Sequence, residues 1–168
     1  EVRVGQRCRV LPSGQEVKIA RLVTMDGDLE GATTGEAPTL VFDREVDASR
    51  GDVVVSADSP CEVADQLAAH LVWMSEEQGL VGRSYLLKIG TVTCQASITR
   101  LKHTIDVNSY EQRPASQLEL NDIASVNLSL DRPIPFDPYE TCAPMGSFIL
   151  IDEATNDTVG AGMIAARG

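Results

Sequence analysis

Few residues in this chain have the types and spacing that chemistry requires. Asp28-Leu29-Glu30-Gly31 and Asp157-Thr158-Val159-Gly160 both fit the short Asp-x-x-Gly pattern of GTPases. A nucleotide site of that kind also needs a Gly-x-x-x-x-Gly-Lys-Ser/Thr loop to cradle the β- and γ-phosphates, and the sequence contains none. His70 and His103 are the only histidines, and no spacing brings Cys, Asp or Glu to them as a metal site demands. No Gly-x-Ser-x-Gly nucleophile turn occurs, and nothing pairs a Ser or Cys with a His and an acid. Glu76-Glu77 lies beside Gln78-Gly79 and reads as a solvated loop. Arg50-Gly51-Asp52 reads as a turn that starts a strand. Asn127-Leu128-Ser129 and Asn156-Asp157-Thr158 fit the glycosylation pattern, which is idle without secretion. Catalytic, cofactor-binding and metal residues are therefore expected to be none.

What remains is contact chemistry. Trp73 is the sole tryptophan; Trp is enriched at interfaces, although alternation with Leu67 and Leu71 also suits a core position. His103 follows Lys102, and Arg113 lies ten residues on. Trp73, His103 and Arg113 are the candidate partner-interface residues.

These residues must be positioned by strands. Short β-branched runs alternate with Gly, Pro, Asn and Asp clusters, as in a barrel or sandwich. Cys8-Arg9-Val10-Leu11 and Val17-Lys18-Ile19 flank a turn at Pro12-Ser13-Gly14-Gln15. Pro38 to Phe42 and Val53 to Val55 follow as strands. Ala57-Asp58-Ser59-Pro60 is small, polar and ends in proline, and marks a boundary. Beyond it, strands are expected at Val63 to Trp73, Tyr85 to Ile89, Thr91 to Ile105 and Ala124 to Leu130. In the third of these, Val92, Cys94, Ala96 and Ile98 share one face and Leu101, His103 and Ile105 the other. That change of phase predicts a β-bulge near Thr99-Arg100.

The last hairpin is the most informative element. Gly146-Ser147-Phe148-Ile149-Leu150-Ile151-Asp152 is apolar on both faces, and Glu153 to Asp157 supplies a turn. In Thr158 to Ile164, Val159, Ala161 and Met163 are expected on one face, with Gly160 and Gly162 leaving the other bare for a close neighbour.

Composition bounds the class. The 168 residues carry 25 acidic against 14 basic side chains, a net charge of −11. Up to Asp58 there are 11 acidic and 7 basic residues; beyond it there are 14 and 7. Phosphate backbones are bound by clustered Lys and Arg, so both parts argue against a nucleic-acid partner. No apolar run approaches the ~18 residues that a membrane span needs. Cys8, Cys61, Cys94 and Cys142 are far apart, with no Cys-x-x-Cys pair, which favours a reducing cytoplasm over a disulfide framework. Glu1-Val2-Arg3-Val4-Gly5 carries neither a signal peptide nor a start methionine and reads as a cut from a longer protein.

The last hairpin resembles that of the third domain of elongation factor Tu and its GTPase relatives. Trp73-Met74, Ile105-Asp106-Val107-Asn108, Leu120-Asn121-Asp122-Ile123 and Phe136-Asp137-Pro138-Tyr139 narrow the resemblance to the GTPase subunit of bacterial sulfate adenylyltransferase. The resemblance implies an all-β chain of two antiparallel barrels of the translation-factor type. Residues 1–57 would be a partial domain 2-like barrel lacking its opening strands, 58–60 a linker, and 61–168 a domain 3-like barrel. It further implies a non-catalytic part of an enzyme making adenosine 5′-phosphosulfate and pyrophosphate from ATP and sulfate. GTP and Mg²⁺ would belong to a G domain outside this chain. The partners implied are the catalytic subunit, the chain's own G domain and, in some family members, a C-terminal adenylylsulfate kinase domain. Thr141-Cys142-Ala143-Pro144-Met145 departs from the basic or polar loop usual in the family. The rival reading is an RNA- or tRNA-binding barrel pair of a translation-factor relative, which the acidic second part disfavours.

Overall fold

The computed structural model describes residues 1–107 and 109–168; Asn108, which the resemblance quotes, lies outside the described residues. The chain divides into two compact units, Glu1–Cys61 and Glu62–Gly168. Among the described residues helix is limited to one four-residue turn, and the other regular structure is strand.

The first unit holds β1 (Val2–Arg3), β2 (Arg7–Leu11), β3 (Gln15–Thr24), β4 (Gly27–Leu29), β5 (Gly31–Ala32), β6 (Thr39–Phe42) and β7 (Val53–Ser56). The β2–β3 hairpin turns at Gly14, whose φ of 76° suits glycine alone among unstrained residues. Its sheet runs β4-β3-β2-β7, with β6 on the other side of β3, while β1 and β5 form a separate pair. The long β3 changes partners along its length, and a register shift between Ile19 and Arg21 lets it do so. Cys8, Val10, Val17, Ile19 and Leu22 are buried beneath it. The ladder does not return on itself, so this unit is a half-barrel with open edges.

The second unit holds β8 (Glu62–Trp73), β9 (Gly79–Leu80), β10 (Ser84–Ile89), β11 (Val92–Ile105), β12 (Gln112–Arg113), β13 (Gln117–Leu118), β14 (Ile123–Phe136), the turn α1 (Ala143–Gly146), β15 (Ser147–Ile151) and β16 (Thr158–Arg167). Strands run β10-β15-β16-β8-β14-β11, and β11 pairs again with β10, closing a six-stranded barrel. Closure removes the free edges that an open sheet exposes. Trp73, Tyr85, Phe136, Leu67, Leu71 and Ile98 fill the interior. Cys94 is buried among these side chains, and burial pushes its thiol up to about 11, so it packs as a small core residue.

The expected bulge in β11 lies between Ile98 and Arg100, with a second irregularity between Leu101 and His103. In the last hairpin one expectation needs correction. Val159 is buried instead of sharing an outward face with Ala161 and Met163. Ile151 pairs with Thr158 but Leu150 with Gly160, so Val159 is the extra residue of a bulge. Gly160 and Gly162 face the interior. A Cβ built on Gly160 would meet Leu71 Cδ1 at 3.2 Å, and one on Gly162 would fall inside the ring of its cross-strand partner Phe148.

Gly162→Val is therefore expected to lower unfolding free energy on the order of 1–3 kcal/mol by overpacking. In a Phe148→Ala background the same substitution should cost much less, because the ring that occupies the space is gone. Denaturant midpoints of the two singles and the double test this; full additivity would show that Phe148 is not the obstacle.

Candidate partner interface

The three candidate interface residues do not converge. Trp73 closes β8 with 1% exposure, its ring edge-on to Tyr85 at a 5.6 Å centroid separation. Its indole N–H donates to the Glu77 carbonyl at 2.7 Å. The indole is spent on the interior, and direct contact with a partner is not available to it. Gly79 completes the fit, since a Cβ there would stand 3.0 Å from the indole.

His103 and Arg113 belong to one ribbon. Arg113 in β12 pairs with Thr104, and its guanidinium meets Asp106 at 2.7 Å. Side chains alternate across a strand, so His103 lies on the opposite face of the ribbon from Thr104 and Arg113. Beyond Ile105, Val107 and Tyr110 are exposed near the tip, with Tyr110 at a positive φ of 58°. On its other side β11 places His103 opposite Ser125, and Ser125 opposite His70. Two strand spacings put the two histidines about 10 Å apart. No group of three or more His, Cys, Asp or Glu is placed to hold a metal ion among the described residues.

The short motifs resolve into turns. Asp28 makes a two-point ion pair with Arg21 across the β3–β4 hairpin, at 2.6 and 2.9 Å. Asp157 sits in the β15–β16 turn, its carbonyl accepting from the Asp152 N–H at 2.9 Å. In Arg50-Gly51-Asp52 the Asp52 carboxylate accepts the Ser49 N–H at 2.8 Å.

A constellation that sequence reading did not find gathers at one end of the barrel. Asp152 is buried, and its Oδ1 accepts the N–H groups of Ala154 and Thr155 at 2.9 and 3.2 Å. The Arg83 guanidinium bonds its other oxygen and lies 5.5 Å from the Tyr85 ring centroid. The Ala154 N–H first, then that of Thr155 and the Arg83 charge, hold the Asp152 carboxyl below the usual carboxylate range. Arg83 and Asp152 are 69 positions apart, a separation that no local pattern reveals. The cluster pins the last hairpin turn to the start of β10.

Residues 66–165, most of the second unit, match the GTP-eEF1A C-terminal domain-like family. The chain belongs to that family. Its curated homologues in this group include the bifunctional enzyme NodQ of Azospirillum brasilense, 48% identical over 97% of the chain. Sulfate adenylyltransferase subunit 1 of Aeromonas salmonicida is 47% identical over the same share, and the bifunctional enzyme CysN/CysC of Xylella fastidiosa 45%. The chain spans only 26% to 35% of the length of these relatives. Among solved structures, sup35 complexed with GDP aligns over 99% of the chain and 41% of its own, with a TM-score of 0.85 at 19% identity. That likeness concerns the fold: both units have the translation-factor β architecture.

Asp152→Ala is expected to lower the denaturation midpoint at pH 7. The folded carboxyl titrates below its unfolded value, so its stabilisation is complete above the ordinary carboxylate range, about pH 4. It is lost as pH falls through the lower folded value. The gap between wild type and Asp152→Ala should therefore narrow steadily below about pH 4. A gap independent of pH from 7 to 2 would assign the effect to packing instead of charge.

Proposed function

We propose that this chain is the non-catalytic β-barrel region of the GTP-dependent regulatory subunit of sulfate adenylyltransferase. The observation that carries the reading is the 47% identity to subunit 1 of that enzyme, sustained over 97% of the chain. On this reading residues 1–57 correspond to part of the second domain, 58–60 to a linker and 61–168 to the third domain. The parent enzyme forms adenosine 5′-phosphosulfate and pyrophosphate from ATP and sulfate. GTP and Mg²⁺ are held by a G domain, and the chemistry is done by a separate catalytic subunit. The bifunctional relatives support a fused adenylylsulfate kinase domain in some parents. A cytoplasmic location fits the absence of any helix long and apolar enough to cross a membrane among the described residues, together with sulfate-activating relatives.

The role suits what the residues can do. Many polar side chains here are committed to turns and ion pairs, as at Asp28, Asp52, Asp106 and Asp152, which suits a supporting role better than a reactive one. A closed barrel can instead present fixed surfaces, and a relay needs surfaces whose contacts differ between two states of a partner. His103 and Arg113, on opposite faces of the β11–β12 ribbon, are proposed contacts of this kind.

Isothermal calorimetry of the 168-residue chain is expected to show no micromolar GTP binding and measurable affinity for the catalytic subunit. Micromolar GTP binding would overturn the assignment of nucleotide to a separate domain. Indifference to the subunit would place the subunit contact elsewhere in the parent.

A further inference from the structure

The outer face of the second unit breaks the alternation that a barrel in water should keep. Outward positions of an antiparallel sheet with one wet face are normally polar. Here Ile105, Ile123, Val72, Ala161 and Ile149 stand opposite one another, in register, across five adjacent strands. All five are partly exposed. This row explains why β15 is apolar on both faces: Phe148 and Leu150 fill the interior, while Ile149 and Ile151 serve the outside.

The row leads into two adjoining depressions. One, of about 520 Å³, is lined by Val72, Ile149, Ala161 and Met163, with Lys88 at its far side. The other, of about 390 Å³, is lined by Met163, His70, Tyr139 and Glu140, so Met163 borders both. Neither Lys88 nor Glu140 has an ion-pair partner among the described residues. An apolar trough thus runs between an unspent cation and an unspent carboxylate.

The Glu140 wall is already in place. The Tyr139 N–H donates to the Ile164 carbonyl at 2.8 Å, fixing the loop to β16. Thr141 and Cys142 N–H groups both bond the Pro138 carbonyl, at 2.9 and 3.0 Å. Gly146 lets the loop close: a Cβ there would collide with the Tyr139 backbone and stand 2.7 Å from the Asp137 carbonyl. Binding therefore costs little ordering at this wall, while the flexible Met163 can adapt to an incoming side chain.

We propose that this trough is the docking surface for the catalytic subunit, through a segment whose apolar side chains cover Val72, Ala161 and Ile149. An Arg or Lys of that segment enters the Tyr139–Glu140 pocket, where the carboxylate supplies charge and the phenol ring a cation–π face. An acidic side chain faces Lys88. Charge complementarity sets the direction of the segment, and the apolar row supplies the buried area. The choice of partner rests on the function proposed above; the trough's chemistry does not.

Two measurements on the 168-residue chain separate these claims. In amide NMR, acetyl-Leu-Arg-amide is expected to shift His70, Tyr139, Glu140 and Met163 saturably, and acetyl-Leu-Glu-amide is not. Glu140→Lys should abolish the response. Absent or equal responses to the two probes would overturn the pocket's assignment. In calorimetry with the catalytic subunit, Ala161→Arg and Glu140→Lys should each weaken Kd roughly tenfold or more, as losses at an interface centre do. Unchanged circular dichroism midpoints would exclude unfolding as the cause. A subunit that binds wild type and both folded variants equally would overturn the docking surface. A subunit that ignores the wild-type chain would overturn the choice of partner, leaving the probe titration to decide the pocket.

Discussion

Closing the second sheet on itself requires β10 to find two partners at once. One is β11, brought by a hairpin, and the other is β15, which arrives from more than fifty residues away in the chain. A six-stranded barrel has a narrow interior, and long strands fit around it only by coiling sharply. The irregularities in β11, β14 and β16 provide that coiling, each at a point where pairing with a neighbour skips a residue or more. The longest skip, between Ser129 and Ile134 in the β14–β8 ladder, contains Pro133, which has no N–H to give a ladder. Space inside is short enough that β16 presents glycine twice, and the Phe148 ring takes the place of a side chain on Gly162. Interior volume, strand length and glycine placement are thus one constraint met in three ways.

Much of this was legible. Turn residues and alternating apolar positions located the strands, and the phase change of β11 located a bulge, because both signals are local. The two glycines of β16 announced a close contact for the same reason. What stayed hidden was long-range. No local pattern distinguishes a sheet that closes from one that stays open, since the difference is a single ladder between β10 and β15. The bulge that turns Val159 inward was equally hidden, because it exists only relative to the register of β15. Arg83 reaching Asp152 is another such case.

The candidate site was less legible than the fold. Trp73 illustrates the difficulty: a lone tryptophan at a strand end satisfies the pattern of a core anchor and of an interface anchor alike. Its burial depends on Gly79 and Tyr85, which other strands deliver. The outer apolar row was hidden for a related reason. Val72, Ile123, Ala161 and Ile149 each look unremarkable in their own strands, and only the cross-strand register joins them. A surface made by register has no sequence motif.

Cross-strand register also decides what a barrel surface can offer a partner. A reaction centre demands few residues held to within fractions of an ångström, and such residues tend to stand out by type. A docking surface spreads its energy over ordinary side chains, and its specificity comes from where charges sit at its ends. Lys88 and Glu140 lie on β10 and on the loop after β14, elements that come together only because the barrel closes. Moving either by one residue would turn its charge to another face. Barrel closure therefore fixes both the interior and the spacing between those two charges, and a partner reading that spacing reads the integrity of the fold itself.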